Sequence, residues 1–176
     1  MLTLESLSSD KPLSVFLAIA FAEKALSVWE AEYPEDMRPR EAIEAAKEWL
    51  KNPSTAAAND AYIAYVAANA AADAAANDAF AAAYAAAYAA HAANAYANAF
   101  AAAYAAFAAA YAPAAAYAAL KADKETFVHE VILENLDWIL QYKVDNRQSF
   151  AQPELILNYL NEEQKQSFLF SLDAVA

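Results

Sequence analysis

His91 and His129 are the only imidazoles in a chain of 176 residues that has neither cysteine nor glycine. Neither lies in a Glu-x-x-His or His-Glu-x-x-His pattern, the spacings that turn two ligands onto one helical face. Without cysteine, disulfides and thiolate metal sites are excluded. A nucleophile elbow and a phosphate-cradling loop both need glycine where the backbone turns sharply or meets the ligand, so they are excluded too. Glu130, Glu134 and Asp137 recur at helical spacing and form one acidic face. Such a face can attract a hard cation, but a solvated surface is its commoner use. No catalytic, metal or cofactor residues are expected.

Asp60, Asp73 and Asp78 are the only charged residues between Ala56 and Ala119, a stretch without Lys or Arg. A carboxylate buried without a partner is costly. Two arrangements relieve that cost. Either Arg38 or Arg40, which with Asp36 belong to the preceding acidic-basic loop, reaches these aspartates as a clamp, or the face is open and receives a basic partner. His91 shares a stripe with the larger side chains and reads as a packed core histidine. A helical enzyme or small-ligand binder with Tyr-lined space around His91 is the alternative of a different class.

These residues must be positioned by helices. From Ala56 to Ala119 the chain holds 41 alanines in 64 residues, and alanine is the best helix former. A first helix is expected after Asp10, with Pro12 in its first turn, ending near Glu32 before Tyr33-Pro34. Pro39 opens a second helix that turns Ile43, Ala46, Trp49 and Leu50 toward a core and stops at Asn52-Pro53. In the alanine tract the larger residues fall at 62, 66, 69, 73, 77, 80, 84, 88 and 91. That eleven-residue period of about 3.67 per turn predicts one nearly straight helix with this stripe inward. The phase slips at Asn94–Asn98, which reads as a turn between antiparallel helices, with Tyr96, Phe100, Tyr104, Phe107 and Tyr111 striping the second. Tract aromatics are expected to supply the cohesion. After Pro113 a helix should run to Tyr142, followed by two short helices at Pro153–Leu160 and Glu162–Leu172. The fold class is therefore all-α, a compact multi-helix bundle with closely packed alanine-rich antiparallel helices. It reads as a single helical domain, 1–176, in three segments: 1–53, 54–119 and 120–176.

The formal net charge is −12. Direct nucleic-acid binding needs clustered Lys and Arg and is excluded, whereas a basic protein partner suits the charge. Acidity also keeps an alanine-rich helical protein in solution. Lys11, Leu13–Ile19 and Ala20-Phe21-Ala22 imitate a leader peptide, but Glu5 and Asp10 cancel its positive flank, and a cytoplasmic location is expected. Aspartates, asparagines and Pro113 argue against a membrane span in the alanine tract. Antifreeze helices present regularly spaced threonine, and the tract has none.

The segment Phe21-Ala22-Glu23-Lys24-Ala25-Leu26, Trp29-Glu30, Pro34-Glu35-Asp36-Met37-Arg38-Pro39-Arg40-Glu41-Ala42-Ile43-Glu44-Ala45 and Trp49, followed by alanine-rich helices, resembles the immunity-protein family of bacterial polymorphic toxin systems. The resemblance covers about residues 16–115, and Pro-x-Asp-x-Arg-Pro-Arg at 34–40 is its specific part. It departs from the family in lacking Arg within the alanine run. The tail from Lys121, with ten acidic and five basic residues (net −5), is not placed by it. The resemblance implies an all-helical cytoplasmic protein that binds and neutralises a cognate toxin and brings no catalytic residues.

Together these point to a non-enzymatic, immunity-type inhibitor acting by stoichiometric binding, as monomer or homodimer, with an acidic helical face set over a basic cleft. The alternative is an acidic DNA mimic or anti-defence inhibitor of a nuclease or nucleic-acid-binding complex. A pure assembly module pairing Ala/Tyr faces is a further possibility.

Overall fold

The computed structural model describes residues 11–74, 77–93, 124–146 and 153–166. These residues are all-α, with no strand among them: α1 (Lys11–Glu32), α2 (Arg38–Lys51), α3 (Thr55–Ala74), α4 (Asn77–Ala93), α5 (Lys124–Glu134), α6 (Leu136–Asp145) and α7 (Pro153–Leu157). The chain divides into two compact units, Asp10–Lys124 and Glu125–Ala176 with Met1–Ser9.

In the first unit, local chemistry sets the helix ends. Pro39 occupies the first turn of α2, where its missing N–H costs nothing. Ser54 caps α3: its hydroxyl accepts from the Ala57 N–H (3.1 Å) and its carbonyl from the Ala58 N–H (2.9 Å). Five residues join α1 to α2, and two ion pairs fix their register. Glu30 pairs with Arg40 and Glu23 with Lys47, so seven residues back along α1 match seven forward along α2. The two helices are thus an antiparallel hairpin.

The alanine tract does not continue as one helix to Asn94. The rings of Tyr65 on α3 and His91 on α4 lie 4.9 Å apart. On a straight helix they would be separated by about 39 Å at 1.5 Å per residue. The chain therefore reverses between Ala74 and Asn77, among the tract's poor helix formers Asn69, Asp73, Asn77 and Asp78. The reversal lets α4 pack against α1, α2 and α3 at once, and its Ala83, Ala85, Ala86, Ala87, Ala89, Ala90 and Ala93 are all 0% exposed. An unbroken rod would leave those methyl groups in water. The expected turn at 94–98 and the stripe of Tyr96 to Tyr111 lie outside the described residues.

Of the tract aromatics expected to supply cohesion, only Tyr62, Tyr65 and Tyr88 fall among residues whose side chains are described. The large buried side chains of the first unit come from α1 and α2: Leu13, Val15, Leu17, Phe21 and Trp29 on α1 and Ile43 on α2 are each at most 2% exposed. Buried alanines on α3 and α4 let the helices approach closely. On α3 the buried residues are Ala58, Ala61, Ala68, Ala71 and Ala72, while Tyr62 and Val66 of the predicted inward stripe face solvent. Helix α1 is long and apolar enough to cross a bilayer by length and composition, yet 67% of its most apolar window is buried inside the protein. Burial nearly all round marks it as a core helix.

In the second unit, the single helix expected to reach Tyr142 is kinked at Asn135. Its side chain donates to the Val131 carbonyl at 2.8 Å, closing α5 before α6 begins. Val131, Ile132, Leu136, Ile139 and Ile156 form the unit's core. Asn161 and Gln164 cap the helical turn at 162–166 reciprocally: each side-chain oxygen accepts from the other residue's backbone N–H, at 2.8 and 2.9 Å.

Candidate functional site

The corner between α1 and α2 carries the sequence's most specific segment. Trp29, 2% exposed, donates its indole N–H to the Asp36 carbonyl at 2.8 Å and packs its ring against Tyr33. That bond holds the loop against the end of α1. The Asp36 carboxylate grips Arg38: Nε lies 2.9 Å from Oδ1 and 3.1 Å from Oδ2, Nη2 lies 2.5 Å from Oδ2, and the Arg38 backbone N–H reaches Oδ1 at 3.2 Å. This fork geometry is the strong form of a carboxylate–guanidinium pair. It holds the Asp36 carboxyl below its ordinary value, chiefly through the hydrogen bond from Arg38. Arg40 pairs with Glu30 across the hairpin.

Arg38 and Arg40 thus close the corner to which they belong. Both guanidiniums take carboxylates from α1 and the loop: Asp36 is two residues from Arg38, and the hairpin delivers Glu30 to Arg40. The expected clamp onto Asp73 or Asp78 falls outside the described residues. Asp73 and Asp78 fall in the last turn of α3 and the first turn of α4, at the same end of that hairpin. Their side chains lie outside the described residues.

Asp60 is exposed on α3 and has no ion-pair partner among the described residues. Next to it the helix shows three large apolar side chains to solvent: Tyr62 at 50%, Ile63 at 67% and Val66 at 49% exposure. At about 100° per residue, Ile63, Val66 and the exposed Ala70 form one strip, with Tyr62 on one edge and Asp60 on the other. Sequence reasoning kept an open face as one of two arrangements but did not single out Ile63, which lies off the stripe. The signal was present: the tightest helix interface admits only alanine, so larger residues on such a helix must lie elsewhere.

His91 stands half-buried against Tyr65, with Tyr88 edge-on at 6.2 Å. Its buried Nδ1 has no hydrogen-bond partner among the described residues, and burial lowers its pKa, so the ring is neutral near pH 7. Two tyrosine rings around a neutral imidazole make a packing cluster, and among the described residues no carboxylate is shown orienting it as a base. His129 packs edge-on against Tyr159 at 5.1 Å. Glu130, Glu134 and Asp137 are all exposed, and the kink at Asn135 puts the first two on α5 and the third on α6. Asp137 accepts a hydrogen bond from Gln164. Among the described residues no group of three or more His, Asp or Glu is placed to hold a metal ion.

Every Lys and Arg from Lys11 to Ala93 has an intramolecular partner. Lys11 sits 4.4 Å from the Trp49 ring centroid, Lys47 bridges Glu23 and Glu44, Lys51 lies 3.7 Å from Glu48, and Lys24 also interacts within the protein. Glu35, Glu41 and Asp60 have no ion-pair partner among the described residues. Among the described residues from Lys11 to Ala93 the uncommitted charge is therefore negative.

No curated protein and no solved structure matches the chain. The family model described as Imm-5 like putative immunity protein matches residues 8–131, which takes in the α1–α2 corner, the alanine tract and the start of the second unit. A match over that much of the chain places the protein by its helical core and corner segment together: it belongs to the Imm-5 like putative immunity protein family.

Proposed function

We propose that the protein is an immunity-type inhibitor that neutralises a cognate bacterial toxin by binding it stoichiometrically in the cytoplasm, without catalysis. The observation that carries this reading is membership in the immunity family over residues 8–131, which implies a protein partner such as a toxin. The charge distribution supports a basic target. With every Lys and Arg from Lys11 to Ala93 engaged internally and Glu35, Glu41 and Asp60 left over among the described residues, a basic surface is attracted and correctly oriented during encounter.

Co-expression with a candidate cognate toxin domain tests the reading. Growth should be restored, and the two chains should co-purify at a fixed ratio after nuclease treatment. Toxicity unrelieved by the protein, with no complex on size-exclusion chromatography, would refute it.

A further inference from the structure

We propose that the outer face of α3, the strip of Ile63, Val66 and Ala70 between Tyr62 and Asp60, is the docking surface for a cationic, apolar-studded segment of the toxin; this rests on the immunity reading above. Single exposed apolar residues are ordinary on a protein surface. Here three large ones lie together on an otherwise alanine-rich helix, and they protrude from it because their neighbours are methyl groups. The buried face of α3 consists of alanines against α2 and α4, so Tyr62, Ile63 and Val66 contribute little to that packing.

Charge selects the occupant. Asp60 on the rim is unpaired among the described residues, and no Lys or Arg occurs on α3. A lysine or arginine flanking an apolar side chain of the toxin would pair with Asp60 while the apolar group covers Ile63 and Val66. On the opposite edge, half-exposed Tyr62 offers a ring face to a second cation. A second copy of this chain is disfavoured. A two-fold pairing of α3 would set like-charged rims against each other in a molecule of net charge −12.

The test compares the wild-type protein with Ile63→Ser/Val66→Ser, which keeps the charge, and with Ile63→Arg, which opposes a cationic partner. Affinity for the cognate toxin domain is measured by calorimetry, alongside circular dichroism and light scattering of the free proteins. All variants should fold with unchanged melting temperature, since the altered side chains are largely exposed. The double serine variant should lose at least 10-fold in affinity, Ile63→Arg at least 100-fold, and growth protection should weaken in parallel. If wild type binds the toxin and both variants bind equally well, the docking surface is wrong while the immunity reading stands. If wild type binds no toxin, both fall. A wild-type dimer that Ile63→Arg converts to monomer would assign the face to self-association and overturn the proposal.

Discussion

Asp36 performs two tasks with different atoms, and they can be separated. Its carbonyl accepts from Trp29, and its carboxylate grips Arg38. Asp36→Asn keeps the first and weakens the second, so it should cost roughly 1–2 kcal/mol in urea denaturation, discounted for a side chain still 23% exposed. The pH dependence follows from the direction of the shift. A carboxyl whose folded pKa is depressed stabilises the fold fully above its unfolded value near 3.8, and that stability is lost as pH falls through the lower folded value. Wild-type stability should therefore decline below about pH 4 by more than that of Asp36→Asn. Parallel acid profiles would show that Arg38 contributes nothing to the fold through this carboxylate.

At the scale of the helix, α4 makes the sharpest demand. Ala86 is fully buried in a helix packed on three others, and its methyl group occupies space that no larger group can enter. Ala86→Leu should destabilise by about 1–3 kcal/mol or more through overpacking, although leucine is itself a good helix former. Ala70→Leu on the exposed side of α3 should stay within about 0.5 kcal/mol. Equal effects at the two positions, read by urea midpoints at constant slope, would mean that alanine is present for helicity alone. The same comparison explains why Tyr62 and Val66 face solvent. Periodicity locates the larger residues on a helix, and packing decides whether larger or smaller residues face the core.

For the whole molecule, the relevant quantity is the sign of its free charge. Internal pairing of the cations from Lys11 to Ala93 leaves described carboxylates such as Glu35, Glu41 and Asp60 to set the field that a partner meets. Association with a basic toxin should slow at least 10-fold between about 0.02 and 0.5 M salt, with dissociation changing far less, because screening acts on encounter more than on the docked apolar contact. Stopped-flow mixing across that range measures it, and a salt-independent association rate would rule out steering by these carboxylates. The corner segment at 34–40 was legible in the sequence as the distinctive motif, and its proline and capping signals placed α1 and α2 to within a residue or two. The partners of its arginines were not legible, because Glu30 reaches Arg40 only once the hairpin has formed.

By itself the sequence determined the all-helical class, the first helix boundaries, the exclusion of thiolate and glycine-dependent chemistry, and the excess of negative charge. Each is local or summed: helix propensity accrues residue by residue, prolines act within a turn, and net charge needs no geometry. The tertiary structure alone decided that the alanine tract reverses before Asn77, that alanines rather than Tyr62 and Val66 face inward, and that Arg38 and Arg40 close their own corner. These outcomes depend on complementary volumes and charges between residues distant in the chain. The bulky face of α1 needed a smooth partner, and folding α4 back against it supplied one.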